Sequence, residues 1–276
     1  MPTKMNQLFD QIHKIPQVPE VVRSIINQLN NPHADMLQIA KDVEKEQVIV
    51  LKILRLVNSA HFGLSRKIGS IDEAITMLGM NQLKTLVVAS GIVSVVPQLE
   101  NFDVKQSWRN SFRTAGYAKW FADQAGVAAD IAYTAGLISN LGNILIHIAS
   151  PSEANEIDQH VKNGNTRLEI EKRRLGYTSP EICAELCRRW KFAEELVETI
   201  EQSADPLATE PPSKLACAVF LAHAISDYQD QGLDENQILT SLPKQITESL
   251  GLTEQMLTEK IPAVLSAKSE LDGLLD

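Results

Sequence analysis

The chain has few aromatic side chains, little cysteine and less positive than negative charge. Phe, Trp and Tyr make up 5% of its 276 residues, so the core must be built mainly from aliphatic side chains packed by shape. The three cysteines, Cys183, Cys187 and Cys217, are too few and too odd in number for a disulfide framework, and they fit reduced thiols. Cys183 and Cys187 share a helix face, but a zinc site needs two further ligands. All three read as small buried apolar side chains. Lys and Arg number 26 against 35 Asp and Glu, for a net charge of −9 and a pI near 5.2. That balance disfavours nucleic acid and anionic membrane as partners, since both attract cationic surfaces. The segment Met1 to Gln7 lacks a signal-peptide core. The richest apolar run, Leu83 to Val96, contains Lys84 and falls short of the roughly 20 residues of a bilayer span. A soluble cytoplasmic protein with no membrane association is expected. There is no Gly-rich phosphate loop and no G-x-S-x-G elbow.

What the sequence does have is helical periodicity. Hydrophobic residues at 44% and charged residues at 22% are ordinary for a globular chain. Val18, Val22, Ile25, Ile26 and Leu29 recur at helical spacing, Asn30-Asn31-Pro32 breaks the pattern, and Asp35 is a candidate cap for the next helix. Val48 to Val57 has about three apolar positions per turn, which predicts a deeply buried helix. Capping boxes are read at Ser70 with Glu73, Ser150 with Glu153 and Thr166 with Glu169. Pro151 and Pro180 stand as first helical residues after Ser150 and Ser179. Gly126, Gly176 and Gly251 stand as helix stops. No Asn-Gly or Asp-Gly hairpin lies between alternating strands, so the class is all-α. The stretch 97–103 divides two helix-rich halves. A second break, Asp205 to Ser213 with Pro206, Pro211 and Pro212, precedes further amphipathic segments.

One ordered set of blocks is distinctive. Ile15-Pro16-Gln17-Val18-Pro19-Glu20 leads in. Leu51-Lys52-Ile53-Leu54-Arg55-Leu56-Val57-Asn58-Ser59-Ala60-His61-Phe62-Gly63 follows. Arg66-Lys67-Ile68-Gly69-Ser70-Ile71, Glu73-Ala74-Ile75 and Leu78-Gly79-Met80 complete it. These blocks resemble the HDOD family, the HD-related output domains of bacterial signalling proteins. The resemblance covers about residues 12–210. It implies an HD-like helical bundle over 104–210, preceded by a helical subdomain over 12–97, with 211–276 as a helical extension.

Active members of the HD superfamily carry an upstream His, a His-Asp doublet and a distant Asp, with further His residues in bimetal members. Together these hold metal that activates water and clamps phosphate. The resemblance places the doublet at Ser139-Asn140, the upstream His at Asn110, and later ligand positions at or near Ser179, Gln202 and Ser203. The distant Asp falls at His223 or Asp227. Neutral hydroxyls and amides are weak substitutes for carboxylate and imidazole. The expectation is therefore no catalytic residue, no metal and no cofactor. The implied role is a non-catalytic signalling module that binds a protein partner, with a small ligand as an option in the vestigial pocket of Asn110, Ser139, Asn140, Ser179, Gln202, Ser203 and His223. The rival is a metal-dependent phosphohydrolase with an unorthodox site. Asn58, His61 and Arg66 either organise a turn or form a recognition loop. Arg173, Arg174, Arg188 and Arg189 either balance nearby glutamates or bind an anion or partner. Of the histidines, His13, His33 and His160 read as exposed and His147 as a hydrogen-bonded core residue. His223 is the one to inspect near Asn140. The oligomeric state is left open.

Overall fold

The computed structural model describes residues 4–11, 18–27, 36–59, 62–63, 66–99, 102–267, 269 and 271–275. Pro16, Asp35, His13, His33 and His61 lie outside the described residues. Within them the chain is helical, with one isolated bridge between Leu99 and Phe102.

The first half contains α1 (Lys4–Gln11), α2 (Glu20–Asn27), α3 (Met36–Glu44), α4 (Gln47–Val57), α5 (Ile71–Leu78) and α6 (Met80–Val95). Its axis is α6, which is apolar on most sides and packs against α2, α4 and α5. Gly91 permits the α2 contact, because a Cβ there would stand 2.3 Å from Val22 Cγ2.

The second half contains α7 (Val104–Ala125), α8 (Ala129–Ile138), α9 (Leu141–Ala149), α10 (Pro151–Lys162), α11 (Arg167–Leu175), α12 (Ser179–Arg189), α13 (Glu194–Gln202) and α14 (Lys214–Asp230). The long α7 lies along α8 and α14. Gly136 lets α8 approach closely, since a Cβ there would meet Ala115 Cα at 3.0 Å. Helices α15 (Glu235–Ser241), α16 (Lys244–Ser249) and α17 (Glu254–Ser266) follow, then a 3₁₀ turn at Asp272–Leu274.

Several sequence expectations change. Among the described residues, the 21 residues Ala129–Ala149 are span-like by length and composition, with an 18-residue window of mean hydropathy 1.3. The chain folds them as two helices broken at Ser139-Asn140, with 78% of that window buried inside the protein. Helix α4 is not deeply buried all round. Ile49, Ile53, Leu56 and Val57 face inward while Val48 and Leu51 face solvent. At Ser70 half of the box forms: its hydroxyl accepts from Glu73 N–H at 3.1 Å, but the Glu73 carboxylate takes Gly69 N–H instead. Ser150 and Thr166 make no side-chain cap. The full boxes are at Thr178 with Glu181 and at Asp234 with Gln237. Thr178 rather than Ser179 thus caps α12, and Pro180 is its second residue. Gly126 and Gly176 end α7 and α11 in the left-handed conformation.

Candidate functional site

The break between α8 and α9 places Ser139 and Asn140 where α7, α8, α9 and α14 meet. Asn140 Nδ2 donates to Ser107 Oγ at 2.6 Å, joining α9 to α7. Ser139 Oγ donates to Gly136 C=O at 3.0 Å and lies 2.7 Å from His223 Nε2, joining α8 to α14. Because the serine proton points at Gly136, the imidazole is assigned as the donor in that contact. Ser139 is therefore not poised as an activated nucleophile, which would need its proton directed at the ring. Burial lowers the His223 pKa to about 4, so the ring is neutral at pH 7.

The α7 residue that faces Asn140 is Ser107, not Asn110. Asn110 turns toward the end of α14, where its Nδ2 donates to Asp230 Oδ2 at 2.8 Å and its Oδ1 accepts from Gln106 at 2.9 Å. Arg113 braces the same corner, donating to Ser226 Oγ at 2.9 Å and to Asp230 Oδ1 at 2.6 Å. One turn beyond His223, Asp227 is exposed at the surface. Desolvation and then the Asp230 charge raise its pKa to about 6, against the pull of Arg167 and Arg113.

Ser179, the first residue of α12, is buried. A Cβ on Gly142 would stand 1.8 Å from Ser179 C=O, so α9 and α12 touch through backbone. The Ser179 N–H donates to Glu171 Oε2 at 2.6 Å. Glu171 is wholly buried, and burial pushes its carboxyl above the usual range although the Ser179 amide and Arg167 oppose the shift. Arg167 reaches Glu171 at 3.5 Å, Asn143 Oδ1 at 3.0 Å and the Asp158 carboxylate. Asp158 Oδ2 lies 3.3 Å from Nε2 of buried His147, whose ring packs on Phe102 with centroids 4.1 Å apart. Sequence reading treated His147 alone and missed the rest of this network, which is assembled from four helices and has no contiguous motif. Gln202 and Ser203 sit at the end of α13. Ser203 Oγ donates to Ile200 C=O of its own helix at 2.7 Å, and no described contact joins either residue to Asn140 or His223.

The other candidates land elsewhere. Asn58 clasps the following loop: Oδ1 accepts from Ile68 N–H at 2.7 Å, and Nδ2 donates to Ile68 C=O at 2.8 Å and to Leu54 C=O at 2.7 Å. Arg66 pairs with Glu73 at 3.1 Å. Arg174 binds Glu153 and Glu156, and Arg188 binds Glu201 with Glu194 nearby. Arg189 pairs with Glu185 and lies 4.2 Å from the Phe9 ring centroid. Arg173 is exposed. Cys183, Cys187 and Cys217 are buried free thiols. Cys183 Sγ contacts Ile138 C=O at 3.1 Å.

Chemically, the Ser107, Ser139, Asn140 and His223 cluster offers hydroxyls, one amide and one neutral imidazole, already bonded to one another. Among the described residues no three His, Cys, Asp or Glu side chains converge as a metal would require. The donor set present therefore does not fit the metal of an HD phosphohydrolase.

The model of the HDOD domain family matches residues 15–206. A solved protein from Shewanella amazonensis, provisionally named a phosphohydrolase, is 31% identical, with a TM-score of 0.79 over 98% of both chains. An HDOD domain protein of unknown function from Geobacter sulfurreducens shares the fold at 21% identity, with a TM-score of 0.82 over 99% of this chain and 97% of that one. An uncharacterized Treponema pallidum protein is 28% identical over 94% of this chain, which spans 52% of that protein's length.

Proposed function

The chain belongs to the HDOD domain family, and from that premise we propose that it is a non-catalytic signalling output module whose task is to bind a protein partner. The observation that carries this reading is the direct pairing of Asn140 with Ser107 and of Ser139 with His223. A bridging cation would require these groups to turn toward a common point and to include anionic oxygens. Instead they pair at hydrogen-bond distance, which ties α9 to α7 and α8 to α14 without a cation. A small polar ligand is a secondary option at the rim, where Asn140, Asn143 and Asp227 retain solvent access. A localisation in the cytoplasm belongs to the same proposal.

The rival reading, a metal-dependent phosphohydrolase, is favoured by the provisional name of the Shewanella amazonensis relative. Elemental analysis of protein purified without added metal, together with hydrolysis assays on cyclic dinucleotides, separates the two. We expect substoichiometric iron, manganese and zinc and no turnover. Stoichiometric metal with activity abolished by Asn140→Ala would establish the enzyme instead.

A further inference from the structure

The outer face of α4 carries more apolar surface than a solvated helix needs. Val48, Leu51, Lys52 and Arg55 share it, with Leu56 at its edge. Val48 and Leu51 are 61% and 67% exposed. At the Leu56 end the face is covered. The segment after α17 returns there as the 3₁₀ turn and packs on α4. Leu271, Leu274 and Leu275 are buried in doing so. Gly273 lies so near that a Cβ would stand 2.8 Å from Leu56 Cδ1. The described hydrogen bonds of this segment are local: Leu274 N–H to Leu271 C=O at 2.9 Å, and Leu271 N–H to Ser269 Oγ at 3.2 Å. Apolar contact therefore holds it, and the entropy of ordering a short segment opposes that contact.

Beside Leu274 and Leu275 a crevice of about 240 Å³ continues between α4, the end of α6 and the start of α7, with Lys52, Gln98, Lys105 and Trp108 in its lining. Two ammonium groups at this crevice, whose accessible surface is mostly polar, suit an acidic occupant. The resident sequence, Glu270-Leu271-Asp272-Gly273-Leu274-Leu275-Asp276, places leucines at spacings of three and four among acidic residues.

We propose that this groove is a docking site for a short acidic partner segment with leucines at that spacing, and that Leu271–Leu275 is its displaceable resident. The proposal rests on the protein-binding reading above and says where the partner docks. Val48 and Leu51 lie outside the crevice, on the face of α4 that also carries Lys52, and the resident leaves them exposed. Val48 to Leu56 spans about 12 Å of helix, whereas the resident supplies one turn. A longer partner segment covers both ends and thereby overcomes the advantage of a tethered competitor.

The test uses a fluorescein-labelled peptide of residues 267–276 and the full chain. Its binding is followed by anisotropy to the unmodified chain, to a Leu271→Ser/Leu274→Ser/Leu275→Ser variant, and to Gly273→Val, which lifts the resident by a clash and keeps its leucines. Both released variants are expected to bind the probe at least about tenfold more tightly than the unmodified chain, since the tethered competitor acts at high effective concentration. Adding Lys52→Glu or Lys105→Glu to a released variant weakens that binding. A probe lengthened by a Leu-Glu-Glu-Leu turn at either end binds more tightly still, and Leu51→Asp removes only that gain. No binding to either released variant, or equal binding to all three proteins, overturns the proposal. A concentration-dependent dimer of the unmodified chain, lost in the triple variant, overturns it in favour of a second copy. None of these outcomes alters the metal and hydrolysis result that decides the preceding reading.

Discussion

Position 142 accepts glycine and nothing larger. The atom that a Cβ would strike is a backbone oxygen, Ser179 O, which cannot rotate away. Gly142→Ala must separate α9 from α12, and we expect a loss of about 2 kcal/mol in urea unfolding; unchanged stability would mean that the two helices can part freely. His223 makes a different demand. Its folded pKa, about 4, lies below the unfolded value near 6.5, so between those pH values the unfolded chain binds the extra proton. Stability contributed by the neutral ring is present above pH 6.5 and is lost as pH falls toward 4. Asp227, raised to about 6, acts in the opposite sense: its contribution is present below the unfolded value near 3.8 and is lost as pH rises through 6. Comparing the native chain with His223→Gln isolates the histidine, because Asp227 is common to both. The native chain should lose more stability between pH 7 and 4, by a margin on the order of 2 kcal/mol. Parallel stability curves would place the ring in solvent. At this scale the sequence reading set Asn110 of α7 beside Ser139 and Asn140, whereas Ser107 is the α7 side chain bonded to Asn140. Three residues apart, Ser107 and Asn110 differ by a net angle of about 60° around the helix, and only packing decides which of them faces Asn140.

Helix α11 shows how an element can be legible while its purpose is not. Its run of basic residues, Lys172-Arg173-Arg174, attracted attention in the sequence, but the side chain that joins several helices is Arg167 at its start. Arg167 neutralises buried Glu171 while reaching Asn143 and Asp158. Arg167→Met leaves a buried carboxylate uncompensated and is expected to cost about 3 kcal/mol. The deficit should shrink as pH falls, because Glu171 already has a raised pKa and takes up a proton. Most of it should return in Arg167→Met/Glu171→Gln, measured as a double-mutant cycle. A double variant as weak as the single would show that Arg167 stabilises through Asp158 alone. The sequence pairs only Arg167 with Glu171, four residues apart on one helix; Asn143 and Asp158 join them through the packing of α9, α10 and α11. Helix α4 teaches the same lesson in reverse. Its composition predicted burial on all sides, yet Val48 and Leu51 emerge, because composition reports hydrophobicity and not which neighbours arrive.

Across the whole molecule the buried side chains form one continuous cluster from Leu8 to Leu275. The two halves meet through the Phe102 and His147 rings, through α6 on α8, and through α1 on α9. The proposed subdomains, 12–97 and 104–210, and the extension over 211–276 therefore share a core. Urea unfolding followed by the fluorescence of Trp108, Trp120 and Trp190 should coincide with loss of far-UV circular dichroism, as a single cooperative core requires. Separated transitions would show that the halves unfold independently.

The sequence by itself determined the helical class, the family and several helix ends, among them those at Ser70, Gly126 and Gly176. These follow from local periodicity, from glycine and proline chemistry, and from the identity of side chains at ordered positions. Tertiary structure alone decided that Ser107 meets Asn140, which atoms join His223 to Ser139, that Arg167 gathers a buried network, and that the segment at Leu271–Leu275 lies on α4. Each of those contacts joins residues far apart in the chain. Their geometry is set by helix rotation and crossing, which local sequence does not encode.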